Sequence, residues 1–444
     1  MANELAVLNP QCNLKKERYS PREIGDMLGG KKVYLWGAGQ KGRPFLFALE
    51  RNGYKAEAFL DSAPVLIGTN YRGVPIVDPK TVLGDPSAFD SAFIILTSTT
   101  DKIRQMALAC REAGLVHKKH YVRMQELAPL SPSIEISGVC NLRCIACPRG
   151  KVEGGRPSME TGGFMSLADY KKGLQKLLKE IPWLFTVDLY VWSDPMLHPK
   201  LAEIIEYNNS LGIGSGISTN LNHGKYLEDV IKAGPDYIRV STSGFGPKNY
   251  EITHTGGRWD VLYKNLLDVK SYIKKHDSPT IITVLYHANK NNLSEFKDMH
   301  DFCMENGFRL EPLLSSIFSD YAIDYIEERP LWEGAKFAKN IMLMSLDEIL
   351  EHCAAEHSKT CLAMRALPVI NWDMSVLTCC NYSYEQLAPN YLDVTIDEII
   401  TLRNNASLCK KCIQYSLHRF WDHADYTKYL RPLLTEINKV NAII

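Results

Sequence analysis

The stretch Ser133-Ile134-Glu135-Ile136-Ser137-Gly138-Val139-Cys140-Asn141-Leu142-Arg143-Cys144-Ile145-Ala146-Cys147-Pro148 decides how this chain is read. Its first five residues alternate like a strand, and Gly138 opens a loop carrying three cysteines spaced Cys-x3-Cys-x2-Cys. Further strand-like runs lie near 185–192, 214–220, 236–244, 280–288 and 309–316, separated by amphipathic helical segments. With the first run at 131–137 this makes six strand–helix repeats, short of the eight that close a (β/α)8 barrel. The expected fold class is therefore α/β, with a central partial (β/α)6 barrel over 131–345 and its site at the C-terminal strand ends. The three cysteines stand at the first of those ends.

Three thiolates can hold three irons of a 4Fe-4S cluster and leave the fourth open to an exogenous ligand. An open metal position points to catalysis, and a zinc knot is the alternative. The chain has 444 residues, 45% hydrophobic and 23% charged, which suits several globular domains rather than a disordered chain. Lys plus Arg and Asp plus Glu both total 51, so no global field favours nucleic acid or anionic lipid. No apolar run reaches membrane-span length, and residues 1–20 lack a signal peptide's apolar stretch, so the expected location is the cytoplasm. Twelve cysteines are too sparse for a disulfide scaffold.

Upstream of the barrel, a flexible leader (1–19) precedes a doubly wound domain (20–130). Ser20-Pro21-Arg22-Glu23 opens a helix with a capping box. The strand KKVYLW (31–36) then leads through Gly37-x-Gly39-x-x-Gly42 into a helix, and the next strand ends at Asp61. Such a loop suits phosphate at the helix N-terminus, with Asp61 accepting ribose hydroxyls; a structural or docking role is the alternative. A smaller region (346–425) follows the barrel, then a tail or helix (426–444). It contains Cys361, Cys379, Cys409 and Cys412, separated by 17, 29 and two residues, with Cys353 and Cys380 as further thiols. Four cysteines can close a zinc or iron–sulfur site.

The cysteine loop resembles the signature of the radical S-adenosylmethionine (SAM) enzymes. That resemblance implies a cluster held by Cys140, Cys144 and Cys147 and chelated at its open iron by SAM. One electron then cleaves SAM to a 5'-deoxyadenosyl radical that abstracts a substrate hydrogen. Trp192-Ser193-Asp194-Pro195 resembles the family's Gly-Glu-Pro segment, which receives the SAM amino group, with Ser193 and Asp194 in place of glycine and glutamate. Ser218-Thr219-Asn220 is similar to the segment that meets the SAM ribose and carboxylate, and the next strand carries Arg239 and Ser241 as further cofactor-binding candidates, since hydroxyls and amides suit sugar oxygens. Ala146 stands where many members place an aromatic residue against the adenine.

The run Asn371–Cys379 resembles the hairpin of the auxiliary-cluster domains called SPASM and twitch, with Met374 in place of the usual glycine. The shorter twitch form implies one auxiliary 4Fe-4S cluster on Cys361, Cys379, Cys409 and Cys412. Residues 20–130, with Arg72-Gly73-Val74-Pro75-Ile76, resemble the Rossmann-like domain of sugar acyltransferases that bind nucleotide-sugars. Together these imply an oxidoreductase (dehydrogenase) or epimerase acting on a sugar, cyclitol or related natural-product intermediate, free or carried on a nucleotide handle held by residues 20–130, and reduced by a flavodoxin or ferredoxin. A peptide-modifying maturase and a non-enzymatic iron–sulfur sensor are the alternatives. His254, Arg258, Tyr286 and His287, near strand ends four and five, are candidates for moving protons or binding substrate.

Overall fold

The computed structural model describes residues 19–98, 100–128, 130–147, 162–355, 361 and 367–419. Pro148, most of the leader and the expected tail or helix at 426–444 lie outside them. Two sheets organise the chain. The first contains β1 (Lys32–Trp36), β2 (Ala56–Leu60), β3 (Asn70–Tyr71), β4 (Val74–Val77), β5 (Ala92–Leu96) and β6 (Tyr121–Arg123). Its order is β3-β4-β2-β1-β5-β6, parallel except for the β3–β4 pair. β5 is buried at every position, as a parallel strand covered on both faces should be. Ser20 and Glu23 form the capping box at the start of the helix Pro21–Leu28.

The second sheet begins with β7 (Ser133–Ile134), β8 (Thr186–Asp188), β9 (Gly214–Thr219), β10 (Tyr237–Thr242), β11 (Ile281–Ala288) and β12 (Arg309–Leu314), adjacent in chain order and parallel. Three further strands extend it beyond β7: β13 (Val369–Ile370), β14 (Val376–Cys379) and β15 (Tyr382–Ala388). β13 runs parallel to β7, pairing Ile370 with Ile134, and β14 and β15 follow antiparallel. The C-terminal cysteine region thus covers the edge that the first barrel strand would otherwise leave open. One buried core runs from Leu130 through the barrel to Leu417. Met374, in the β13–β14 turn, has φ +70°, the left-handed region that favours glycine.

The two sheets are joined tightly. Trp183 and Phe185 from the barrel enter the N-terminal core, their ring centroids 5.9 and 5.4 Å from Phe45. Arg51, on the helix Gly42–Arg51, donates to the carbonyls of Leu184 and Gly212, and Asn52 Nδ2 donates to Pro182 O at 3.0 Å. Gln40 Nε2 reaches Thr283 Oγ1 at 2.7 Å, and Arg43 donates to Pro279 O. Thr283 and Pro279 lie at the beginning of β11, so the glycine loop docks on the barrel's N-terminal end, opposite the cysteine loop.

Candidate active site

The cysteine loop is pinned on three sides. Gly138 N donates to Gly163 O at 2.6 Å, Arg143 N to Thr255 O at 2.8 Å and Ile145 N to Thr253 O at 3.1 Å. Gly334 closes the third side, since a Cβ there would lie 1.8 Å from Ile145 O. Burial pushes the Cys144 thiol far up, and Cys147 and Cys140 add to the shift, so the three sulfurs share one electrostatic neighbourhood. Asn220 Nδ2 donates to Asn141 Oδ1 at 2.9 Å and lies 3.8 Å from Cys140 Sγ. Among the described residues no three His, Cys, Asp or Glu side chains converge on a single-ion position. A cubane needs a different arrangement, each thiolate on its own iron, and an all-cysteine donor set suits it.

The neighbouring strand end is organised by two carboxylates. Glu135, 3% exposed, accepts the amides of Trp192 and Ser193. Asp194, 2% exposed, accepts Thr219 Oγ1, Asn220 N and Met196 N, each at 2.9 Å. Burial raises its pKa, and these hydrogen bonds oppose that rise. Asp194 therefore ties the loop that follows β8 to the end of β9. Trp192 Nε1 and Ser193 Oγ are buried without a partner among the described residues. Unsatisfied groups of that kind are costly unless a ligand or water meets them, and at this strand end they fit the polar groups of SAM.

Register sorts the remaining candidates. Ser218, Arg239, Thr283 and Arg309 lie side by side across β9 to β12, and alternation puts Ser241, His287 and Glu311 on the same inner face. Arg239 Nη1 donates to Tyr190 Oη at 3.2 Å, while its buried Nε has no partner among the described residues. Burial opposes its charge, but Tyr190, Glu311 and Tyr237 outweigh that and hold it cationic. Burial, and then Arg239, pushes the His287 pKa down to about 4.

Tyr286 points the other way and donates to Asn292 O at 2.6 Å beneath Phe296. His254 stacks on Tyr250 at 4.6 Å, with Nδ1 3.2 Å from both Ser243 Oγ and Thr253 Oγ1. Burial, and then His287, takes its pKa down to about 3. The Arg258 side chain pairs with Asp260 at the surface, and its amide donates to Asn222 Oδ1 at 2.7 Å. His287 and Arg239 therefore share the barrel interior, His254 lies within electrostatic reach of His287, and Tyr286 and Arg258 are directed elsewhere. Glu135 was missed by sequence reasoning, although a lone glutamate between Ile134 and Ile136 was its signal.

The C-terminal cysteines gather around a second centre. Cys379 ends β14, and Cys409 and Cys412 lie one turn apart on the helix Ser407–Gln414. Arg403 Nη2 lies 3.7 Å from Cys361 Sγ, and its charge also acts on Cys379, Cys380 and Cys409. The Cys379 thiol is drawn down by its hydrogen bond with Cys380 and then by Arg403, against burial. Burial pushes Cys409 up to about 11. Four thiols are thus grouped here, Cys380 among them, with Cys412 on the same helix as Cys409. This donor set also fits a cluster.

In the N-terminal domain, Gly37 has φ +119°, and a Cβ on it would lie 2.4 Å from Thr97 O. A Cβ on Gly42 would lie 1.7 Å from Gly37 O. At Gly39 the nearest atoms to such a carbon are the Arg309 guanidinium nitrogens, at 3.6 and 3.7 Å. Asp61 accepts the amides of Ala38 and Ala63.

Residues 134–303 match the family described as "Radical SAM superfamily". The match runs from β7 into the helix before β12, and the family it points to implies a 4Fe-4S cluster and SAM. It is 27% identical over 186 residues to a probable GTP 3',8-cyclase of Methanothermobacter thermautotrophicus, covering 41% of this chain and 56% of that protein. The chain spans little more than half the length of the curated relatives it matches, 56% and 54%. Among solved structures, native anSMEcpe with bound AdoMet aligns at TM-score 0.44 and 16% identity, over 71% of this chain and 100% of that one. SuiB of Streptococcus suis bound to S-adenosylmethionine aligns at 0.39 and 12%, over 75% and 74%. No helix among the described residues is long and apolar enough to cross a membrane.

Proposed function

We propose that this protein is a radical SAM oxidoreductase that takes a hydrogen atom from a polyhydroxylated substrate of the sugar or cyclitol class. Its net oxidation uses a second, auxiliary cluster. The observation that carries this reading is the electrostatically coupled thiol trio of Cys140, Cys144 and Cys147, beside the unpartnered donors Trp192 Nε1 and Ser193 Oγ. When bound, the two clusters and SAM supply a 5'-deoxyadenosyl radical and a one-electron acceptor.

Cys140, Cys144 and Cys147 hold the first cluster, and the pinned loop fixes their orientation. Ser193 and Trp192 donate to the polar groups of SAM, while Asp194 holds their loop against the end of β9. Arg239, Ser218 and Ser241 offer hydrogen bonds to hydroxyls inside the barrel, and the neutral His287 accepts or donates without bringing a charge. Cys361, Cys379, Cys409 and Cys412 hold the auxiliary cluster, with Cys380 as a competing ligand.

The parallel order β4-β2-β1-β5-β6 supports a Rossmann-like reading of residues 20–130. Its glycine loop faces the barrel's N-terminal end, with Arg309 over Gly39. We therefore assign this domain a docking role in place of holding a nucleotide handle. The test is anaerobic reconstitution followed by reduction. About eight irons per chain and release of 5'-deoxyadenosine support the enzyme reading. Loaded, reduced protein that never cleaves SAM overturns it in favour of a sensor, and turnover confined to peptides overturns the substrate class.

A further inference from the structure

The helix Ile396–Asn405 buries Ile396, Ile399, Ile400 and Arg403. An arginine thus occupies a position on the i, i+3, i+4, i+7 stripe that ordinarily takes an apolar side chain. Arg403 is 2% exposed, and its Nε and Nη1 have no hydrogen-bond partner among the described residues. A guanidinium keeps its proton, so burying one requires countercharge and acceptors. Among the described residues no carboxylate pairs with it. Its neighbours are sulfurs, with Cys361 Sγ 3.7 Å from Nη2 and Cys379 and Cys409 beside it. Protonated thiols are weak acceptors and supply no negative charge.

Resting on the reading that these cysteines hold a 4Fe-4S cluster, we infer that Arg403 is that cluster's fixed cation, with Nε and Nη1 donating to its sulfur atoms and raising its reduction potential. A four-thiolate cluster gains one negative charge on accepting one electron. A nearby guanidinium stabilises the reduced state more than the oxidised one. Arg403 stays protonated throughout, so the electron enters without a coupled proton at this residue. Its role is to position charge; it contacts neither SAM nor substrate.

The test is a redox titration of the reconstituted full chain, followed by electron paramagnetic resonance, with iron and sulfide counted beforehand. Arg403→Gln removes the charge, and Arg403→Lys restores it. Expected for Arg403→Gln is full iron, with the reduced-to-oxidised ratio of the auxiliary cluster at the parent midpoint lowered tenfold. That corresponds to about 59 mV for one electron. The Lys variant should lie nearer the parent, and the first cluster should not move.

Full iron with an unmoved potential in Arg403→Gln overturns the inference and leaves the cluster assignment standing. Loss of the second cluster in Gln but not in Lys supports the need for charge. Loss in both variants marks a packing role and overturns the inference. Parent protein that holds one cluster, with zinc at the C-terminal cysteines, defeats the underlying reading at the metal count, before any potential is measured.

Discussion

The indole of Trp372 lies so close to Gly138 that a Cβ on the glycine would come within 2.3 Å of its Cδ1. The same ring faces Gly163, where a Cβ would lie 2.4 Å from Cζ3. The head of the C-terminal hairpin is thus wedged between the two glycines whose backbones meet at the root of the cysteine loop. Gly138→Ala should displace the ring or the loop, an overpacking cost of about 1–3 kcal/mol. Reconstituted Gly138→Ala should hold less iron at the first site, and Gly138→Ala combined with Trp372→Ala should recover part of it. Normal iron in the single variant would show that the wedge has room to yield.

Changing Cys140, Cys144 and Cys147 together to Ala should remove one cluster's iron and abolish 5'-deoxyadenosine release. The C-terminal cluster should remain. Iron, sulfide and nucleoside assays on one preparation check all three statements, and persistent SAM cleavage would refute the ligand assignment.

Cys409→Ala should reduce substrate oxidation far more than it reduces SAM cleavage, because its sulfur belongs to the second thiol group. Comparing 5'-deoxyadenosine with oxidised product gives the ratio. Unchanged product at an unchanged rate would remove the acceptor role from that group.

His254 and His287 are held neutral, with pKa values brought down to about 3 and about 4 from 6.5. The unfolded chain takes up protons below 6.5 that the native state refuses, so stability is full above that pH and falls as the pH drops toward 4. The slope is up to about 1.4 kcal/mol per pH unit for each histidine. Thermal unfolding of cluster-free protein from pH 7.5 to 5 should show this decline, shallower in His254→Gln. Parallel curves for variant and parent would rule His254 out as a source.

The six barrel strands were legible because parallel strands covered by helices leave apolar runs separated by amphipathic segments, and the observed strands all fall within the expected stretches. The cysteine loop was legible because its spacing is local. What escaped notice depends on contacts between distant segments. Nothing adjacent to Asp194 reveals that Thr219 and Asn220 occupy its carboxylate. Thr253 and Thr255, rather than His254, hold the cysteine loop, and they do so through backbone groups that any residue carries. Arg403 was hidden for a related reason, since a helical stripe predicts burial without saying what a buried arginine would face. The glycine loop reads the same from sequence whether it meets a phosphate or another sheet.

Trp183 and Phe185 precede and open the second barrel strand region, yet they are packed in the core of the N-terminal sheet. A chain cut near residue 130 would therefore leave two large aromatic rings in water at the base of the barrel, together with the carbonyls that Arg51 caps. Burying such side chains is worth roughly 1.5–3 kcal/mol each, a large share of a domain's net stability. The N-terminal unit thus supplies the barrel with part of its own apolar floor. Removing it would therefore cost the barrel stability at its N-terminal end, far from the cysteine loop.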